Sequence, residues 1–128
     1  MPLNPADDAF AESLRRALPD DRLRRAEPRY LEEPRGRWAG GSGWVALPRS
    51  ADEVSTLIRA AAKARVGVLP YGGGTGLVGG QIAPAELAAP LIISLERMTA
   101  IRAVYPQENV LVAEAGAILA DVQAAARA

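Results

Sequence analysis

The sequence predicts an α+β fold, a small mostly parallel sheet with flanking helices, and three observations carry that expectation. Two short apolar runs rich in Val and Leu, residues 43–47 and 66–71, enclose a stretch of helical periodicity. Six glycines crowd into the nine residues that follow the second run, where a loop leaves the carboxyl end of a strand. Further strand-like runs and a last helical pattern occupy the remainder.

The elements follow in order. Residues 1–42 are rich in Arg, Asp, Glu and Pro and poor in large apolar side chains, so a surface helix over 5–18 and an extended arm over 28–43 are expected. Arg22, Arg24 and Arg25 form the one basic cluster, and Asp20, Asp21 and Glu27 around them mark it as a solvated face. The domain proper is expected over 43–128. After its first strand, residues 51–65 place Val54, Leu57, Ile58, Ala61 and Ala62 at helical spacing. Ser50, with Glu53 three residues on, forms a capping box that satisfies two orphan N–H groups, and Gly67 stands where a C-terminal cap belongs. Strand, helix and strand make a βαβ unit, whose crossover is nearly always right-handed. Residues 90–95 read as a buried strand, and 99–105 and 109–115 as two more about the Pro106-Gln107 turn. From 118 to 128, Ile118, Leu119, Val122, Ala125 and Ala126 again have helical spacing, a helix expected to run to the last residue, Ala128.

The glycine loop carries the chemistry. Gly72, Gly73, Gly74, Gly76, Gly79 and Gly80 leave a backbone without side chains, whose N–H groups can turn inward as a nest for an anion. A flexible linker would be polar and Ser-rich, whereas Leu77, Val78 and Ile82 are interleaved here. A Walker-type loop would end in Gly-Lys-Ser or Gly-Lys-Thr, but the only lysine is Lys63. Gly74, Gly76 and Gly79 satisfy the Rossmann spacing, with Glu96 at a tolerable distance. That motif needs a helix opening on the glycines, and Pro84 and Pro90 leave room only for a short helical piece over 85–88.

Composition bounds the alternatives. With 128 residues and 49% apolar content the chain can bury one small core. Fifteen basic and 15 acidic residues cancel, so no long-range field favours nucleic acid. Cysteine and histidine are both absent, which excludes disulfides, thiolate nucleophiles, iron–sulfur ligation by cysteine, a histidine zinc site and an imidazole base within these residues. No signal-like pattern or membrane-length apolar run occurs, and a cytoplasmic location is expected.

Residues 70–80, Pro-Tyr-Gly-Gly-Gly-Thr-Gly-Leu-Val-Gly-Gly, resemble the FAD pyrophosphate loop of the FAD-linked oxidases, the superfamily with the vanillyl-alcohol-oxidase or PCMH type of flavin domain. Within it the chain is most similar to the D-2-hydroxyacid dehydrogenases, which include the glycolate oxidase subunit, D-lactate dehydrogenase and D-2-hydroxyglutarate dehydrogenase groups. Residues 46–54 resemble the segment leading into that domain, Ile93-Ser94-Leu95-Glu96-Arg97-Met98 its Ser-Leu-x-Arg-Met segment, and Ala113-Glu114-Ala115-Gly116 its Glu-Ala-Gly turn. The resemblance covers about residues 36–128 and implies the first half of a PCMH-type FAD-binding domain. It implies a cradle for the FAD diphosphate made by backbone N–H groups of Gly72, Gly73, Gly74, Thr75, Gly76 and Leu77, with Gly79, Gly80 and Gly116 as supporting positions. In the complete enzyme, FAD would take a hydride from the α-carbon of a D-2-hydroxy acid such as glycolate or D-lactate. The resemblance places the second flavin subdomain and the cap domain with the catalytic base after Ala128, so the isolated chain is expected to be inactive and to bind FAD weakly or not at all.

Other residues keep two readings. Thr75 can offer its hydroxyl to a phosphate, and Gly116 can allow close backbone approach to a flavin or to the glycine loop. Glu114 fits a capping or solvent-facing carboxylate as well as a cofactor contact. Arg97 suits a surface ion pair with Glu96 or Glu108, and Trp38 and Trp44 suit core or arm anchors. Tyr71 receives no role. The alternative to half of an enzyme is a non-catalytic fragment or small subunit, which binds a nucleotide or phosphate ligand or completes a flavin site with domains supplied in trans.

Overall fold

Apolar patterning builds a four-stranded sheet in the order β1-β2-β4-β3, beside a separate antiparallel pair β5-β6. The structure, a computed structural model, describes residues 2–32, 36 and 43–128. Trp38 and much of the expected arm therefore lie outside the described residues. Strands β2 (Trp44–Ala46), β3 (Val68–Tyr71) and β4 (Leu91–Ser94) are parallel, and β1 (Leu23–Arg25) joins β2 antiparallel at the edge. The mostly parallel sheet of the sequence expectation is present. The two strands of the βαβ unit are not neighbours, however, because β4 lies between them. All four residues of β4 are buried, as a continuous apolar run in a parallel sheet should be.

Helix α1 (Asp8–Ala17) starts where the Asp7 carboxylate accepts the Phe10 N–H at 2.8 Å, and stops at Leu18 before Pro19. It is shorter than the expected surface helix and better anchored, since Phe10, Ala11 and Leu14 pack into a core with Trp44, Leu57, Leu91 and Ile93. Arg22–Arg25, read from sequence as a solvated charge cluster, supplies β1 and buries Leu23 in that core. Alternation sends Leu23 and Arg25 to the helix side, where Arg25 pairs with Asp8 at the margin, and Arg24 to the other face, where it meets Tyr30. Arg22 Nε binds Glu53 at 2.6 Å, and its guanidinium pKa is raised chiefly by that bond.

Helix α2 (Ala51–Ala64) has the expected Ser50 cap, with Oγ accepting the Glu53 N–H at 3.2 Å. The reciprocal half of the capping box is replaced: Glu53 holds Arg22 and accepts the Arg49 N–H at 3.4 Å. The C-cap also differs from expectation. Arg65, at φ 58° and ψ 38°, takes the left-handed position, while Gly67 lies where a Cβ would come 3.3 Å from Leu3 Cδ1. No helix forms over 85–88, where a single turn from Pro84 to Leu87 suffices. The later strands form a hairpin, β5 (Ile101–Tyr105) and β6 (Val110–Ala113), closed by a 3-10 turn at Pro106–Glu108. Helix α3 (Leu119–Arg127) packs against β5.

Candidate functional site

Alternation along β2 and β4 divides the sheet into two faces. Trp44, Ala46, Leu91 and Ile93 face the helices, whereas Val45, Leu47 and Ile92 meet Tyr30 and Tyr71 on the other side. The glycine loop leaves the carboxyl end of β3 beside this second face. Leu95 N–H donates to Tyr71 O at 3.0 Å, so the ends of β3 and β4 are held together at the foot of a cleft. The cleft, of about 880 Å³, is lined by the loop residues Gly72, Gly73, Gly74 and Thr75 and by Ala115, Gly116, Ala117, Ile118 and Leu119 opposite. Arg29, Glu32, Tyr71, Glu96 and Thr99 complete the wall.

Of the sequence-expected site residues, Gly72, Gly73, Gly74, Thr75 and Gly116 therefore meet at one cleft. Gly76, Leu77, Gly79 and Gly80 lie farther along the loop and do not line it. The glycines differ in what requires them. Gly74 turns at φ +72°, and a Cβ there would sit 2.0 Å from the Tyr71 hydroxyl. A Cβ on Gly116 would fall 1.7 Å from Leu95 O and 2.8 Å from Met98 O, so its close approach is to the chain between β4 and β5 and not to the glycine loop. Gly72, Gly73 and Gly80 have neither constraint: nothing lies within 4 Å of a Cβ on any of them, and none has positive φ.

Sequence reasoning missed the polar wall. Tyr30, 1% exposed, donates its hydroxyl to Glu96 Oε1 and accepts from Arg24 Nη2 at 2.9 Å and from Arg29 Nη2. Ser94 Oγ donates to the same Glu96 oxygen at 2.8 Å, and Arg29 pairs with Glu96 at 3.3 Å. Tyr71 donates to the Arg29 carbonyl at 2.8 Å and packs edge-on against Tyr30, ring centroids 5.1 Å apart. Burial pushes the Tyr30 and Tyr71 hydroxyls up, and for Tyr30 the Glu96 carboxylate adds to the rise. Burial also pushes Glu96 up, but hydrogen bonds from Tyr30, Ser94 and Arg29, with the Arg29 charge, outweigh it and leave the carboxyl below its ordinary value of 4.5.

That sign fixes a pH dependence. A depressed folded-state pKa means that the stability contributed by Glu96 is present above about pH 4.5 and is lost as pH falls through the lower folded value. Melting wild type and Glu96→Gln from about pH 6 to about pH 3 should show the variant less stable at the upper end, with the gap closing on acidification. A gap independent of pH would contradict the assignment.

The remaining expectations resolve simply. Arg97 does form an ion pair, but with Asp21, at 3.8 Å, and not with Glu96 or Glu108; it also donates to Asp21 O at 2.5 Å. Trp44 is a core anchor, with Arg25 and Arg15 guanidinium groups 4.3 and 4.9 Å from its ring centroid. Glu114 is half-buried at the end of β6, and its N–H donates to Ala100 O. Among the described residues no cluster of three or more acidic side chains could hold a metal ion, and no helix is long and apolar enough to cross a membrane.

Comparison with known proteins gives the fold a family. Residues 43–128 match the FAD binding domain family. A D-2-hydroxyglutarate dehydrogenase of Xanthomonas citri pv. viticola is 37% identical over 119 residues, 90% of this chain and 24% of that protein. Solved structures of alkyldihydroxyacetonephosphate synthase (TM-score 0.79, 19% identity) and p-cresol methylhydroxylase (TM-score 0.68, 12% identity) cover 99% and 98% of this chain; it spans 26% of each, and at such identities the likeness shows the fold. The chain thus spans about a quarter of the length of each of these three proteins. Through residues 43–128 it belongs to the FAD binding domain family, and its cofactor is FAD.

Proposed function

We propose that residues 43–128 form the diphosphate-binding half of a flavin site in an FAD-linked oxidoreductase that oxidises a D-2-hydroxy acid, with residues 1–42 as an N-terminal helix and arm. The observation that carries this is the open face of the glycine loop. Gly72 and Gly73 border the cleft where a Cβ would meet no protein atom, and their backbone needs no glycine. Bare backbone in front of an open cleft suits an anionic group that approaches to hydrogen-bond distance. The same observation favours FAD over a lone phosphate, because the cleft continues past the loop to Ala115, Gly116 and Ile118, leaving room for more than one anion.

On this reading the N–H groups of Gly72, Gly73, Gly74, Thr75, Gly76 and Leu77 hold the diphosphate, Thr75 Oγ1 adds a donor, and Gly79, Gly80 and Gly116 shape the surrounding backbone. Bound FAD supplies the hydride acceptor. The substrate class rests on the 37% identical relative, a D-2-hydroxyglutarate dehydrogenase. Glycolate and D-lactate remain within it.

The flavin site is completed by further chain, continuous with these residues or supplied by a partner. Val104, Tyr105, Val110 and Val112 on the hairpin and Ile118 and Leu119 at the cleft rim are 40–68% exposed, a surface suited to another subdomain. Alone, the 128 residues are inactive. A cytoplasmic compartment remains part of the reading.

The test is anaerobic mixing of the protein, together with the segments that complete its flavin site, with D- and L-2-hydroxyglutarate, D-lactate and glycolate. A D-2-hydroxy acid should bleach the oxidised-flavin absorbance while the L-enantiomer does not. A flavin that none of them reduces would overturn the substrate class; a protein without flavin would overturn the reading itself.

A further inference from the structure

The family match begins at residue 43, yet Arg29 and Glu32 on the cleft wall, and the Arg29 carbonyl that holds the side chain beneath the glycine loop, come from before it. Tyr71 is the last residue of β3, 7% exposed, and the first glycine follows it directly. Its hydroxyl donates to Arg29 O at 2.8 Å and lies directly under Gly74, only 2.0 Å from where a Cβ on that glycine would stand. Gly74 is the buried member of the loop, and its neighbours Gly73 and Thr75 are exposed. The loop therefore touches down on Tyr71 at Gly74, the first of its two positive-φ glycines. Below, the Tyr71 ring stands at 68° to Tyr30, and Tyr30 is fixed in turn by Arg24, Arg29 and Glu96.

We infer that Tyr71 is a positioning residue, clamped by Arg29 and Tyr30, which holds the glycine loop in the shape that receives the FAD diphosphate. This rests on the proposed function. The physical reason is entropy: a loop of so many glycines has more backbone freedom to lose than any other sequence of its length. Anchoring its midpoint in the free protein means that less ordering is left to oppose binding. The clamp makes residues 24–30 part of the flavin site without their touching the diphosphate.

The experiment uses Tyr71→Phe in the flavin-competent protein, which removes the hydroxyl and keeps the ring. Two quantities are read well below the melting temperature: amide hydrogen exchange over residues 72–76 in flavin-free protein, and the Kd for FAD. Leu57→Ala, on α2 and buried in the core away from the cleft, serves as a variant that lowers stability alone. Loss of one hydrogen bond should weaken FAD binding about 3- to 10-fold and speed exchange across the loop, while Leu57→Ala changes neither.

Unchanged loop exchange in Tyr71→Phe overturns the clamp, whatever the affinity. Faster exchange with unchanged Kd overturns its role in binding. An equal loss of affinity in Leu57→Ala reduces Tyr71 to a structural residue and also overturns it. If wild-type protein binds no FAD, the proposed function fails first and the positioning role falls with it.

Discussion

Gly116→Ala should lower the melting temperature by at least about 10 °C, the largest stability effect expected of a single methyl group at any of the described glycines. The added Cβ would lie 1.7 Å from Leu95 O, 2.6 Å from Leu95 C and 2.8 Å from Met98 O, and all three are backbone atoms that no side-chain rotation can move. The segment after β6 and the link between β4 and β5 would have to separate, breaking the bond from Gly116 N–H to Met98 O at 2.8 Å. Overpacking of this kind costs about 1–3 kcal/mol where some relaxation is possible, and more where it is not. Gly72→Ala is the comparison, since nothing lies within 4 Å of its Cβ and the melting temperature should move by no more than about 2 °C. Calorimetry on both variants checks the pair, and equal melting points would show that Leu95 and Gly116 do not pack backbone against backbone.

Gly73→Asp should do the reverse, leaving the fold intact and removing the ligand. Its side chain enters open space at the cleft, so stability should change by less than about 0.5 kcal/mol. The carboxylate would stand where the FAD diphosphate is proposed to lie. Like charges in a partly enclosed cleft repel, and the side chain also keeps the diphosphate from the backbone N–H groups. We expect FAD affinity to fall at least 100-fold, about 2.7 kcal/mol. Gly73→Ala separates the causes, because it adds bulk without charge and should lose less. Full affinity in Gly73→Asp would place the flavin elsewhere.

Much of the fold was legible because its elements are long or strongly patterned. Val54, Leu57, Ile58 and Ala61 mark α2, Ser50 marks its start, and β3 and β4 are apolar runs bounded by Pro and Gly. The position of β4 between β2 and β3 was not legible, since strand order is decided by which run is most completely buried. The polar wall was hidden for a different reason. Arg24, Arg29 and Tyr30 come from a three-residue strand and one 3-10 turn, too short to show a period, and their partner Glu96 lies 66 residues beyond Tyr30. The glycines also looked alike in sequence. Only the structure separates Gly74, placed by its φ and by Tyr71, from Gly116, placed by backbone crowding, and from Gly72 and Gly73, which nothing in the chain requires. Tyr71 had no readable role because its partners Arg29 O and Tyr30 are tertiary, and its local contact with Gly74 depends on how the loop turns.

The most direct test of the flavin cradle is a titration of FAD into the isotope-labelled 128-residue chain, followed by backbone amide chemical shifts. Weak binding is enough, because shifts in fast exchange report contacts even near millimolar Kd. The cradle predicts progressive shifts at the amides of Gly72, Gly73, Gly74 and Thr75, with smaller ones at Gly116 across the cleft, and their loss in Gly73→Asp. Shifts that fall only on residues away from the loop, or loop shifts that persist in Gly73→Asp, would contradict it.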